Sequence, residues 1–417
     1  MDEINTNTIM GGFFTKAETA SETRPDGKIY SCISCGMYKN CVSPRMMSYG
    51  EFHKKILIVG ESPSDLDDKR GKMWQGKDGK ILQRTLEDFG IDLFEDCLSI
   101  NACNCKVTTP EGDYRIPTNY EVECCRKFKL KIINDYNPSL IIILGNSALF
   151  SLIGHRWKKD LDKINKWRGF CIPDQGFKSW VCPTFHPREI ENAKESHMES
   201  IWRVDLQNAL EKLDEEFPVY REPVIKIIQD LSVLDDIPDG AEVAFDYETT
   251  GLKPHAPGHE VICCSVAVSE DLVYVFMIPK DRKKRRPFIR LITNPEIYKV
   301  AQNMKYEDAW TFVLFGVEVA GWVWDTMLAS HILDNRPGVS GLKFQTYVQF
   351  GIVDYDSEVN PYLRSNDEKN ANAINRIHEL LVKPGGKEKL LKYCGYDSIN
   401  EIRLSVLQRR IILPPPF

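Results

Sequence analysis

The stretch Phe245-Asp246-Tyr247-Glu248-Thr249-Thr250-Gly251-Leu252, with its lead-in Ala241-Glu242-Val243-Ala244, decides how the carboxy-terminal half folds. Its apolar lead-in and acidic alternation read as a β-strand. Side chains two apart on a strand point the same way, so Asp246 and Glu248 share one face of the sheet. Two carboxylates on one face make a hard, oxygen-rich site suited to Mg²⁺ or Mn²⁺, ions that substrate phosphates usually complete. Alone, an Asp-x-Glu pair is more often a solvated face. The residues downstream change that balance.

Two apolar runs, Val261–Val268 and Leu272–Phe276, follow as a β-meander, and helices are expected from there to near the end. Gln302-Asn303-Met304-Lys305-Tyr306-Glu307-Asp308 opens a helix with further carboxylates, and Trp324-Asp325-Thr326 comes next. In Tyr393-Cys394-Gly395-Tyr396-Asp397 an aromatic hydroxyl precedes an acid by one helical turn, and residues i and i+4 share a helix face. Four carboxylates and a tyrosine suit two-metal phosphodiester hydrolysis, in which ions about 3.5 to 4 Å apart activate water and stabilise the leaving 3′ oxygen.

Over roughly residues 224 to 412 these motifs resemble the 3′→5′ proofreading exonuclease domains of A-family, DNA polymerase I type enzymes, the DEDDy group. The resemblance implies a ribonuclease H-like fold with Asp246, Glu248 and Asp397 as Mg²⁺ or Mn²⁺ ligands and Tyr393 orienting the attacking water. It implies that Leu252 and Asn303 hold the terminal nucleotide. One position departs: the family's Asp after Lys-Tyr is Glu307 here, with Asp308 next. Glu307 would reach the metal with a longer arm, and a shift of about 1 Å can cost around a hundredfold in rate. Asp325 is expected in a structural role. The plainer reading of the same residues is a domain that keeps the fold without the activity.

At 417 residues the chain is long enough for two domains of roughly 200 residues each. Hydrophobic content of 42% and charged content of 27% describe a globular chain. No apolar run approaches the roughly 20 residues that span a bilayer. Met1-Asp-Glu-Ile is no secretory leader, so no membrane partner is expected and the location is cytoplasmic, the host cytoplasm if the chain is phage-encoded. Thirteen cysteines without an export signal point to reduced thiols, some bound to metal. A net charge of −6 gives no global nucleic-acid signature, and the local basic block Lys280–Arg286 is either a solvated loop or a DNA contact.

Residues 1–27 read as a polar arm, and Cys32-Ile-Ser-Cys35 is half of a four-ligand metal site. Lys55–Gly60, Cys97–Ile100, Leu140–Leu144 and Trp180–Thr184 are buried strands. They alternate with helices near Lys80–Phe89, Tyr120–Asp135, after Gly145, and Glu199–Phe217. That alternation calls for a parallel sheet covered on both faces, an α/β/α domain over 28–217 with ligands gathered at the strands' carboxyl ends. Residues 218–223 read as a linker to a second domain over 224–412, and 413–417 as a proline-rich tail.

Gly60-Glu61-Ser62-Pro63, Gly71–Gly76, Asn101–Lys106, Pro117-x-x-x-Glu121-x-x-x-Cys125 and Pro183–Pro187 occur in the order and spacing of the iron–sulfur, family 4 uracil-DNA glycosylases. The resemblance covers about residues 30 to 215. It implies a [4Fe–4S] cluster on Cys32, Cys35, Cys105 and Cys125, with Cys41, Cys103 and Cys124 close by. Zinc is the chemical alternative for four cysteines. It places Gly60, Glu61, Trp74 and Asn101 against a flipped uracil, held by stacking and edge hydrogen bonds. His186 would support charge developing at the uracil O2, and Asp67 or Asp68 matches a catalytic acidic position. Each residue alone has an ordinary reading: Trp74 as a packed aromatic, Asn101 as a strand-end turn, His186 as a loop histidine. Two motifs depart from the family, at Ser64 and at Met73-Trp74-Gln75-Gly76, and both departures bear on the base pocket.

Together the halves resemble the amino-terminal portion of certain phage A-family polymerases. The expectation is a 3′→5′ DNA exonuclease acting on single-stranded 3′ ends, with a glycosylase-like domain that binds DNA, beside a DNA polymerase chain or domain. The alternatives are a repair enzyme that also excises uracil, and a non-catalytic polymerase accessory docking through Pro414–Pro416.

Overall fold

The computed structural model describes residues 22–23, 29–192, 196–367, 369–370 and 372–413. Apart from Glu22 and Thr23, the expected arm at 1–27 and its neighbour Lys28 lie outside the described residues, as does the tail from Pro414. The chain divides into two compact units between Pro218 and Val219.

The first unit is built on a five-stranded sheet: β1 (Ile56–Gly60), β2 (Cys97–Asn101), β3 (Leu140–Leu144), β4 (Ile172–Asp174) and β5 (Ser179–Thr184), in the order β2-β1-β3-β5-β4. The unbroken apolar runs of β1 and β3 are wholly buried because parallel strands are covered on both faces. β4 is an antiparallel edge strand that the sequence does not announce: it has three residues with a central proline, a residue tolerated only where no ladder donor is needed. The helix Ser196–Glu211 stops short of the expected Phe217.

Loops from β1, β2, β3 and β5 meet at one sheet edge. Ala102 N donates to Gly60 O at 2.8 Å and Cys103 N to Glu61 O at 2.9 Å, which ties the first two together. Gly145 sits at φ +83, where a Cβ would lie 3.0 Å from His186 Cβ and 3.2 Å from Glu61 Oε1. Only glycine lets these loops close that far.

The second unit carries a six-stranded sheet: β6 (Val224–Ile227), β7 (Glu242–Thr249), β8 (Val261–Ala267), β9 (Leu272–Met277), β10 (Tyr298–Ala301) and β11 (Trp322–Asp325), ordered β11-β10-β7-β8-β9-β6. β7, β8 and β9 form the antiparallel meander; β10 and β11 add in parallel, a ribonuclease H-like arrangement. Strands β10 and β11 correct the expectation of helices alone after the meander. Four residues each are too few for a period to register. The alternation of β7 sends Phe245 and Tyr247 into an aromatic layer with Phe288 and Trp310, and turns Ala244, Asp246 and Glu248 toward the 27-residue helix Gly386–Ile412.

The expected linker is not a free tether. Arg403 Nη2 donates to Arg221 O at 2.9 Å and Tyr396 OH to Glu222 Oε2 at 2.7 Å, while the Arg403 guanidinium lies 4.7 Å from the Tyr220 ring centroid. Residues 220–222 belong to the second unit. Among the described residues no helix is long and apolar enough to cross a membrane.

Candidate active site

β7 and the helix Gly386–Ile412 build the acidic site of the second unit. Oxygens of Asp246 and Glu248 and the Cys394 sulfur lie within 4.8 Å of one another. The pairing of β7 with β8 sets Ser265 opposite Asp246, and Ser265 Oγ donates to Cys394 O at 2.8 Å, which fastens the helix to the strand at this level. One turn on, Asp397 accepts from Tyr355 OH at 2.9 Å and from Lys343 Nζ in a close ion pair. The same ammonium lies 4.3 Å from the Tyr393 ring centroid and 4.5 Å from that of Tyr355. Asp246, Glu248, Tyr393 and Asp397 are thus brought together.

Glu307 joins them from the helix Met304–Phe315. It is 2% exposed and its Oε2 has no hydrogen-bond partner, whereas Asp308 turns away and accepts from Val319 N at 3.3 Å. Asn303 caps that helix in a left-handed conformation, φ +67. Asp325 accepts from Asn303 N at 3.2 Å, Met304 N at 3.0 Å and Met327 N at 2.9 Å, a structural clasp. Leu252 is 72% exposed and so is free of the core. In the basic block, Arg285 Nε is spent on Pro279 O at 2.6 Å, and Arg282 to Lys284 are exposed.

Burial, then the neighbouring Asp397, pushes the Asp246 carboxyl well above the usual carboxylate range; burial and Asp246 do the same to Glu248 and Glu307. These are groups short of positive charge, and a divalent cation on hard oxygens supplies it. The raised carboxyls keep protons in the folded chain that the unfolded chain has released, so metal-free stability falls as pH rises above the ordinary carboxylate pKa. Thermal melts of the second unit's transition in chelator are expected to shift down between about pH 4 and 8, and saturating Mn²⁺ to remove most of the slope. A flat profile in chelator would contradict this electrostatic picture.

In the first unit Trp74 sits at φ +62, with its carbonyl against Gly79, where a Cβ would lie 2.2 Å from that oxygen. Its indole packs on Gly60: a Cβ there would be 3.0 Å from the ring and 2.6 Å from Asn101 Oδ1. The His186 ring is 5.9 Å away, centroid to centroid. Gly60, Trp74, Asn101 and His186 are therefore neighbours, and the indole takes up the space among them. His186 is fully enclosed, and burial with the nearby Arg188 lowers its pKa to about 3. Arg188 N donates to His186 Nδ1 at 3.2 Å, so the neutral ring carries its proton on Nε2. Glu61 accepts from Tyr114 OH and Ser147 Oγ, each at 3.3 Å, and burial raises its carboxyl.

Asp67, expected as a catalytic acid, is held by the backbone. Both of its oxygens are taken by backbone donors, Ser64 N at 2.9 Å and Gln75 N at 2.6 Å. It closes the capping box of the helix Asp65–Arg70 and fixes the loop that carries Trp74. Asp68 is likewise used, accepting from Val42 N and Ser43 N.

The cysteines gather from the short helix Cys32–Cys35, the loop after β2 that carries Cys103 and Cys105, and the helix Asn119–Tyr136. Cys32, Cys35, Cys103, Cys105, Cys124 and Cys125 line one cavity with Met37 and Tyr38. Hydrogen bonding from Cys35 lowers the Cys124 thiol to about 7, and from Cys103 lowers Cys125 to about 6. Lys129, wholly buried, donates to Cys125 O at 2.8 Å; burial lowers its pKa, and the Cys125 and Cys103 sulfurs act against that shift. Sequence gave no sign of Lys129, Lys343 or Tyr355. Glu401 was findable, standing four residues past Asp397 on the same helix face.

A family model for the uracil DNA glycosylase superfamily matches residues 47–207. The type-4 uracil-DNA glycosylase of Thermotoga maritima is 30% identical over 182 residues, 44% of this chain and 89% of that protein. The chain belongs to the uracil-DNA glycosylase superfamily. Joined to this glycosylase-like unit is a 3′-5′ exonuclease domain, whose family model matches residues 224–357 and ends before Tyr393 and Asp397. A DNA polymerase of Bacillus phage SP01 is 24% identical over 326 residues, 70% of this chain, a match that must take in both units. The DNA polymerase I of Chloroflexus aurantiacus is 28% identical over 138 residues, 30% of this chain and 14% of that one. The chain spans about a third of the phage polymerase, 34% of its length.

Proposed function

We propose that the chain is a two-metal 3′→5′ DNA exonuclease whose glycosylase-like unit binds DNA without excising uracil, and that it works in the cytoplasm beside a polymerase chain or domain. The observation that carries the reading is the meeting of Asp246 and Glu248 on β7 with the Tyr393–Asp397 face of the last helix. Two divalent ions on Asp246, Glu248 and Asp397 would activate water and stabilise the leaving 3′ oxygen. Burial and Asp397 push the Tyr393 phenol up, so it stays protonated and can orient a water by hydrogen bonding. Lys343 neutralises Asp397 and would give way to, or share it with, a bound cation. Leu252 is free to pack against a terminal base, and Asn303 stands at the helix start to hold its sugar.

The filled space around Trp74 favours binding over excision: a uracil stacked there would have to displace an indole that is 6% exposed. For the cysteines, Cys32, Cys35, Cys105 and Cys125 suit a [4Fe–4S] cluster better than zinc. Tetrahedral zinc with Zn–S near 2.3 Å needs sulfurs about 3.8 Å apart. Among the described residues no three cysteine sulfurs lie within 4.8 Å of one another, although six line one cavity. Six cysteines around one cavity are more than a tetrahedral zinc uses.

One pair of substrates tests the assignment. A single strand with a free 3′ end is expected to shorten from that end in Mg²⁺ or Mn²⁺. A 3′-blocked strand with one internal uracil is expected to gain no alkali-labile break. Breaks at uracil that vanish in Asn101→Ala or His186→Ala would replace this proposal with a bifunctional repair enzyme. No shortening in either metal would leave only a polymerase accessory.

A further inference from the structure

Glu401 lies on the same face of the helix Gly386–Ile412 as Tyr393 and Asp397, at successive four-residue steps. It is 0% exposed, and neither carboxyl oxygen completes a hydrogen bond. Burial is joined by three repulsive carboxylates, Asp246, Glu307 and Asp397, and the Gln302 backbone acts against them. A second orphaned oxygen, Glu307 Oε2, belongs to the same cluster. Buried carboxylates in native proteins are paired, hydrogen-bonded or bound to metal, because leaving one bare is costly. A residue kept only for packing would be apolar here. None of the residues assigned to the exonuclease site on family grounds includes this position.

We infer that Glu401 is a positioning residue of the metal site, a fifth carboxylate behind Asp246, Glu307 and Asp397 whose charge is met only when divalent cations are bound. It raises the negative potential at the ligands and so favours a bound cation there. This rests on the two-metal reading of the site, and the measurements below separate the two.

Mn²⁺ binding to the whole protein is measured by calorimetry, and thermal unfolding is followed with and without Mn²⁺, for the unaltered chain, Glu401→Gln and Glu401→Met. Loss of a carboxylate behind metal ligands is expected to weaken Mn²⁺ binding roughly tenfold or more. Without metal, Tm is expected to hold or rise in both variants, because an unpartnered acid has been removed. The Mn²⁺-induced gain in Tm is expected to shrink. If both variants bind Mn²⁺ as the unaltered chain does, the inference falls while the site reading stands. If both lose stability without metal and keep their metal affinity, Glu401 is structural and the inference is likewise overturned. If the unaltered chain binds no Mn²⁺, both readings fail together.

Discussion

Asp246→Asn is expected to lower 3′-end digestion by on the order of 10³-fold in kcat, the scale of losing one preorganised electrostatic contact at the reacting phosphate. The substitution keeps shape and removes charge, so the cause is isolated. Asp246 sits mid-strand, with Ser265 as its neighbour on β8 and Cys394 Sγ 3.7 Å from its Oδ2. An amide fits that slot. Because burial and Asp397 already hold this carboxyl well above its ordinary range, the metal-free variant is expected to be more stable than the unaltered chain at neutral pH. Lower activity with higher Tm is a signature that misfolding cannot produce. Asp397→Asn should lose activity to the same degree but gain no stability, since it releases the Lys343 ammonium from its ion pair. Single-turnover digestion of a labelled strand, beside melts in chelator, reads both quantities. Retention of activity within tenfold in Asp246→Asn would remove it from the metal site.

Cys125→Ala is expected to abolish the brown colour that the proposed [4Fe–4S] cluster would give, and to destabilise the first unit by roughly 1 to 3 kcal/mol, the scale of removing one partner of a buried polar group. The group affected is Lys129, 0% exposed, whose pKa burial lowers and whose charge support comes first from the Cys125 and Cys103 sulfurs. Adding Lys129→Met to Cys125→Ala should recover part of the loss, because an apolar chain of similar length needs no partner. Cys171, whose thiol pairs with Cys182, serves as the control, and Cys171→Ala should keep the colour. Denaturant titrations followed in the visible and the far ultraviolet check these outcomes. Unchanged colour in Cys125→Ala would send the ligand assignment to Cys103 or Cys124.

The parts of the fold legible in sequence are those with a strong period or a run. β1 and β3 announce themselves by unbroken apolar residues, and β7 by its alternation, which also puts Asp246 and Glu248 on one face. Tyr393 and Asp397 follow from helical spacing. Short strands such as β10 and β11 do not, because four residues fit either period. Lys343 and Tyr355 reach Asp397 by tertiary packing from a helix and a loop with no motif of their own. Asp67 shows what a family pattern leaves out: its place suggested chemistry, and the structure adds that the local backbone engages both oxygens. Trp74 is intermediate, since the departure was visible but not that the indole would lie on Gly60.

The bond from Ser265 to the Cys394 carbonyl makes strand and final helix a single joint, yet its two sides are far apart along the chain. While the polypeptide is being made, Asp246 and Glu248 leave the ribosome long before their partners. On the proposed reading of the site, a nascent chain is harmless to nearby 3′ ends until Asp397 and its helix have been translated and have docked.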